Sequence, residues 1–175
     1  IYDSANYISA FSKALDSINY DELKAIQGKF CKGKYHGIGF ANFVKVSGLG
    51  PFENAKIVLK GPGEVLVYLG IASLGQGHKT TMAQICADSL GVPFETITIF
   101  NGSTDHIEEG VGTFGGRATA LGGSALYIAS RKLKIRLLGI ASNELKVPLR
   151  ELDMTDGSIY RTTKHGQELL ISLGE

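Results

Sequence analysis

A layered α+β fold, with a mostly antiparallel sheet and two main helices packed on one face of it, is predicted by three observations. Short β-rich runs separated by strong turn signals alternate with helical runs, in the order β-β-β-α-β-α-β-β after residue 36. Each of the two later helical runs is preceded by a glycine-rich turn that itself follows a strand. The chain has 175 residues, 43% apolar and 20% charged, enough for about one globular domain with a real core.

The elements follow in order. Residues 4–16 and 20–31 read as two short amphipathic helices, the second capped by Ser17 or Asp21. Residues 36–47, 55–59 and 64–69 are β-rich, and Lys60-Gly61-Pro62-Gly63 turns the chain between the last two, which predicts an antiparallel meander. A helix over 79–90 places Met82, Ile85, Cys86 and Leu90 on one face, and Gly91-Val92-Pro93 ends it. Residues 96–100 form another strand. The longest helix covers 119–145, with Leu126, Ala129, Leu133, Leu137 and Ile140 along one face. Its Arg131, Lys132, Lys134 and Arg136 read as a solvated outer side rather than a basic groove. Residues 147–152 and 158–162 are strands joined by a hairpin at Asp156-Gly157, and 166–173 a short helix. We divide the single stretch 1–175 into a helical lead-in (1–34), a core with both glycine-rich turns (35–147), and a hairpin with a tail (148–175).

Composition excludes several function classes. A formal net charge of +1 argues against a nucleic-acid partner, and no apolar run approaches the ~18 residues of a membrane span. Cys31 and Cys86 are far apart and match no metal or redox spacing; Cys86 is expected in the core, and the pair fits a cytoplasmic protein. The chain opens on Ile1 rather than Met and is expected to be a piece of something longer. Glycine is in excess, 23 of 175, and clusters at turns, where it serves tight chain reversal or close approach of backbone to a ligand.

The stretch SLGQGHKTT (73–81) resembles a phosphate loop and fails as one. Gly70 and Gly75 have the right gap, but Gln76 stands where lysine must follow. A dinucleotide fingerprint fails as well, because Thr80 occupies the place of its third glycine. What remains is a helix start whose free N–H groups, around Gly77 to Thr80, suit an anion or a carbonyl oxygen. Gln76 adds a neutral carboxamide, and His78 either donates to a phosphate or caps the helix. The second turn, GVGTFGGR (110–117), repeats the arrangement. Gly112, Gly115 and Gly116 leave backbone bare, Thr113 brings a hydroxyl, and Arg117 a planar cation suited to phosphate. If the preceding strands are neighbours, the two turns flank one long, phosphate-bearing ligand. Otherwise both are turns alone. No catalytic constellation is visible. Asp3, Asp16 and Asp21 show no pairing pattern, and Asp105, His106, Glu108 and Glu109 read as solvated loop charges, so no metal is assigned.

The runs GQGHKTTMAQICADSLGVP (75–93) and NGSTDHIEEGVGTFGGRATALGGSAL (101–126) resemble the molybdenum-cofactor-binding large subunit of the xanthine dehydrogenase, aldehyde oxidase and carbon monoxide dehydrogenase family. Weaker similarity extends to YDSANY, GKYHGIGFANFV and the Asp156-Gly157 hairpin, nearly the whole chain. The resemblance implies a molybdopterin cofactor, in the cytosine dinucleotide form, contacted by Gln76, Gly77 and His78 from the first turn. From the second turn it implies Gly112, Thr113, Phe114, Gly115, Gly116 and Arg117. Gly116 and Ala118 depart from the family's hydroxyl residues, and Lys79 from a frequent glutamate. The resemblance further implies oxidative hydroxylation of a small substrate (carbon monoxide, an aldehyde or an N-heterocycle) with water as oxygen source. It implies partners too: the rest of the large subunit, an iron–sulfur subunit and a flavin subunit, whose cofactors find no cysteine cluster here. The family's activating glutamate lies in a later segment, and Glu175 is not given that role. The piece alone is then expected to be inactive and to expose surface that favours self-association. The alternative is a non-catalytic nucleotide-binding or assembly module on the same scaffold.

Overall fold

The structure, a computed structural model, describes residues 4–174; Ile1, Tyr2, Asp3 and Glu175 lie outside the described residues. It separates into two compact units, residues 1–44 and 45–175.

The first unit carries helices α1 (Tyr7–Ser17) and α2 (Tyr20–Ile26) and a two-residue antiparallel pair, β1 (Phe30–Cys31) with β2 (Lys34–Tyr35). Asn6 caps α1 by accepting from the Ser9 N–H at 2.9 Å. Neither Ser17 nor Asp21 caps α2. Asn19 holds that place in a left-handed conformation, and the Ser17 hydroxyl instead donates to the Ala14 carbonyl. The predicted continuation of α2 to residue 31 fails because Gln27 is extended and Gly28 has φ +75°. The predicted strand over 36–47 is also absent. A strand needs a neighbour for its N–H and C=O groups, and beyond a single bridge between Gln27 and His36 none runs beside this segment among the described residues. None of the unit's described residues is fully buried.

The second unit holds the core. β3 (Ala55–Lys60) and β4 (Glu64–Leu69) form the predicted hairpin, and β5 (Ile97–Asn101) adds to β4 in parallel, Val65 opposite Ile97 through Leu69 opposite Asn101. Between them lies α3 (His78–Leu90), stopped by Gly91 at φ +87°. Alternation along β4 sends Val65, Val67 and Leu69 into the core, where they meet Met82, Cys86 and Leu90 of α3 and Leu126 of α4 (Ser124–Leu145). Each such side chain contributes about 1.5–3 kcal/mol through burial.

The inward face of α4 differs in part from the apolar stripe in the sequence. Leu126, Leu133 and Leu137 face in as expected, but Ser130, Leu138 and Ala141 are buried while Ile140 is half exposed. Ser130 fits inside because its hydroxyl has a partner, Cys86 Sγ at 3.7 Å. Lys134 leaves the solvated basic side to bind Asp153 at 2.7 Å and the Met154 carbonyl at 2.8 Å, and its ammonium holds the Asp153 carboxyl below the usual carboxylate range. Burial pushes the Cys86 thiol up, whereas Cys31 is only partly covered. A thiol reagent at pH 8 is therefore expected to titrate one of the two cysteines in the folded protein and both after denaturation; two fast-reacting native thiols would contradict this packing.

A second sheet closes the unit: β6 (Leu152–Thr155), β7 (Ser158–Thr163) and β8 (Gly166–Ser172), all antiparallel. Asp156 and Gly157 both take positive φ, as a two-residue hairpin turn requires. The strand predicted from 147 begins only at Leu152, because residues Leu149–Glu151 form a 3-10 turn after Pro148. Residues 166–173, predicted helical, are β8. The open edge of β7 takes up their backbone groups, and pairing overrides local helix preference. The α+β class and the mostly antiparallel pairing hold, with β4–β5 the parallel exception. No helix of the described residues is long and apolar enough to cross a membrane.

Candidate functional site

Parallel pairing of β4 and β5 brings their C-terminal ends to the same edge, the usual place for a ligand crevice in such sheets. The first turn leaves β4 there and enters α3. Gly77 takes φ +78° as the residue before the helix, with no side chain capping it. The N–H groups of His78, Lys79 and Thr80 have no acceptor among the described residues, the first backbone bond of α3 being Thr81 N–H to the Gly77 carbonyl at 3.1 Å. Gln76 is exposed. Its carboxamide oxygen accepts from the Leu74 N–H at 2.6 Å, so its NH2 end is the part without a partner. His78 is buried, with Nδ1 donating to the Ala72 carbonyl at 3.3 Å, and so acts as a brace within the turn.

The second turn lies against the first. Thr113 Oγ1 accepts from the Ala72 N–H at 2.9 Å and donates to the Ala72 carbonyl at 2.7 Å. One hydroxyl therefore satisfies both backbone groups of a residue 41 positions earlier. Just below this contact the two chains cross at Gly70 and Gly110. A Cβ on either would stand 2.6 Å from the other's Cα, so only glycine permits the crossing. Gly112 faces open space, Phe114 is half exposed, and Gly115 and Gly116 abut Leu49 and Ser47. A side chain at 116 would meet Ser47 Oγ at 2.9 Å, so in this chain the hydroxyl at that corner belongs to Ser47.

Arg117 is placed differently from a surface phosphate ligand. It is fully buried. Its guanidinium pairs with Glu53 and donates to the carbonyls of Leu49 at 2.8 Å, Gly112 at 2.5 Å and Phe52. Its Cζ lies 5.4 Å from the Phe114 ring centroid. Immediately after it the chain makes a π-helical turn, Ala118–Gly123, before α4. Glu53, Ser47 and Leu49 escaped sequence reasoning: they precede β3 without a local pattern, and only the fold brings them to the second turn. A small cavity of about 210 Å3 at the strand ends is lined by Tyr68, Lys79, Phe100, Asn101, Asp105 and His106, beside the first turn. His106 packs on Tyr68 at 4.6 Å, and no group of three His, Cys, Asp or Glu converges among the described residues.

With this geometry in place, the comparisons are specific. The model of the family described as molybdopterin cofactor-binding domain matches residues 13–173. The carbon monoxide dehydrogenase large chain of Afipia carboxidovorans is 38% identical over 87% of this chain and 21% of its own length. The nicotine 6-hydroxylase large subunit of Paenarthrobacter nicotinovorans is 29% identical over 90% and 21%. Among solved structures, the CO dehydrogenase of Oligotropha carboxidovorans superposes with a TM-score of 0.64 at 30% identity, over 96% of this chain and 23% of that one. The chain thus spans about a fifth of the length of the curated relatives it matches.

Proposed function

Because the chain belongs to the molybdopterin cofactor-binding domain family, we propose that residues 1–175 form one wall of the cofactor site in a molybdenum hydroxylase large subunit. The observation that carries this reading is the Thr113–Ala72 link, which ties the two glycine-rich turns together.

The donor set fits a phosphate-bearing pterin. Three helix-start N–H groups, at His78, Lys79 and Thr80, sit at the positive end of the α3 dipole without acceptors among the described residues. The Gln76 NH2 is a neutral donor beside them. A Cβ added at Gly75, Gly77 or Gly112 would project into open space, so bare backbone is what these positions offer. In this reading Gln76 and Gly77 meet the cofactor from one side, with His78 bracing the turn beneath them. Gly112, Thr113, Phe114, Gly115 and Gly116 meet it from the other, and Arg117 holds their turn in shape. When bound, the cofactor supplies oxidative hydroxylation of a small substrate (carbon monoxide, an aldehyde or an N-heterocycle) with water as oxygen source. The chain's share is binding, orientation and electrostatic tuning. No catalytic base and no metal ligand is assigned within it. The proposal includes the cytosine dinucleotide form of the cofactor, a cytoplasmic location, and association with the remainder of the large subunit and with iron–sulfur and flavin subunits. The piece alone is inactive in this reading.

Gln76→Ala in the full-length large chain tests it. Loss of one donor, worth about 1 kcal/mol, is expected to weaken cofactor retention about fivefold. Molybdenum and pterin analysis of purified protein reads this. Wild-type content in the variant would remove Gln76 from the cofactor surface.

A further inference from the structure

We propose that Glu53 is a positioning residue that presets the second glycine-rich turn for its ligand, an inference that rests on the cofactor reading above. Glu53 stands just before β3, and its side chain is wholly buried. Its two carboxylate oxygens serve the two ends of one segment. Oε1 accepts from the Val111 N–H at 3.3 Å and from the neighbouring Asn54 N–H at 3.2 Å; Oε2 binds the Arg117 guanidinium. Arg117 in turn binds the Gly112 carbonyl inside the turn and the Leu49 and Phe52 carbonyls outside it. Among the described residues, the backbone between 111 and 117 is otherwise tied down only by Thr113 and by the Arg117 N–H to the Phe114 carbonyl at 3.0 Å.

The fold makes room for this carboxylate. A Cβ at Gly70 would lie 2.2 Å from Glu53 Oε1, so the absence of a side chain there is what admits the charge. Burying an ion pair costs desolvation, and apolar residues of equal volume pack as well or better. What apolar residues lack is direction: they cannot bond both ends of a turn and fix its carbonyl and N–H orientations. Glu53 supplies that direction, acting on the ligand through Val111 and Arg117 rather than by contact.

Amide hydrogen exchange and molybdopterin content of the full-length large chain decide the matter together. In wild type the Val111 amide is expected to exchange at least about tenfold more slowly than that of Glu109, which has no acceptor among the described residues. Equal rates would overturn the proposal, and this reading needs no variant to fold. Glu53→Gln leaves Arg117 partly unpaired and is expected to lower the melting temperature. Combining Glu53→Leu with Arg117→Met removes both charges and is expected to recover only part of that stability, because the carbonyls of Leu49, Phe52 and Gly112 still lack a donor. In the double variant amides 111–116 are expected to exchange about tenfold faster while those of β4 stay protected, and cofactor content to fall at temperatures where the variant remains folded. A double variant with wild-type turn protection and cofactor content would show that Glu53 only fills space. Wild-type protein free of molybdopterin would instead sink the cofactor reading, while the Val111 exchange rate would still judge the Glu53 anchor.

Discussion

Arg117→Met is expected to destabilise the folded chain by about 3–5 kcal/mol, because it strands the fully buried Glu53 carboxylate without its cation. The carbonyls of Leu49, Phe52 and Gly112 lose a donor at the same stroke. For a chain of this size the drop in melting temperature is on the order of 10 °C. Arg117→Lys is expected to recover little, since one ammonium cannot reach four acceptors spread around a planar fork. Urea or thermal unfolding checks both. The result also separates two roles for this arginine. A direct phosphate ligand would leave stability near wild type and lower only cofactor content. An internal tie lowers stability before any cofactor is present.

Gly110→Ala ranks next, with an expected loss of about 3 kcal/mol. The new Cβ meets Gly70 Cα and the Gly70 carbonyl oxygen at 2.6 Å. These are backbone atoms at the end of β4 and cannot swing aside as a side chain would. Relief therefore requires the two chains to part, and parting them opens the Thr113–Ala72 link. Gly110→Ala is expected to lose cofactor along with stability. A variant that unfolds at the wild-type urea midpoint would show that the crossing is looser than described.

Where the signal was local, sequence reasoning found the element. β4 was placed by its β-rich run after the Lys60-Gly61-Pro62-Gly63 turn, α3 by its face of Met82, Cys86 and Leu90, its end by Gly91, and the last hairpin by Asp156-Gly157. The two glycine-rich turns were recognisable, and the parallel β4–β5 pairing supplies the adjacency that their sequence could only anticipate. Non-local effects were not legible. Residues 166–172 carry no strong strand pattern and became β8 because β7 offered an edge. Residues 36–47 carry a strand pattern and found no partner. Arg117 read as a cation suited to phosphate because nothing near it in sequence reveals Glu53, 64 positions away. Ser130 was invisible as a core residue because its fitness depends on the Cys86 sulfur across the interface. Several short motifs in one order, none decisive alone, pointed to the family that the matched residues 13–173 establish.

A structure of the full-length subunit with its molybdopterin cofactor bound would decide whether the two turns serve as one surface. We expect cofactor atoms within hydrogen-bonding distance of the Gln76 carboxamide or the His78–Thr80 amides, and at the same time against the Gly112–Gly116 backbone. A cofactor that touches one turn only, or neither, would contradict the shared wall.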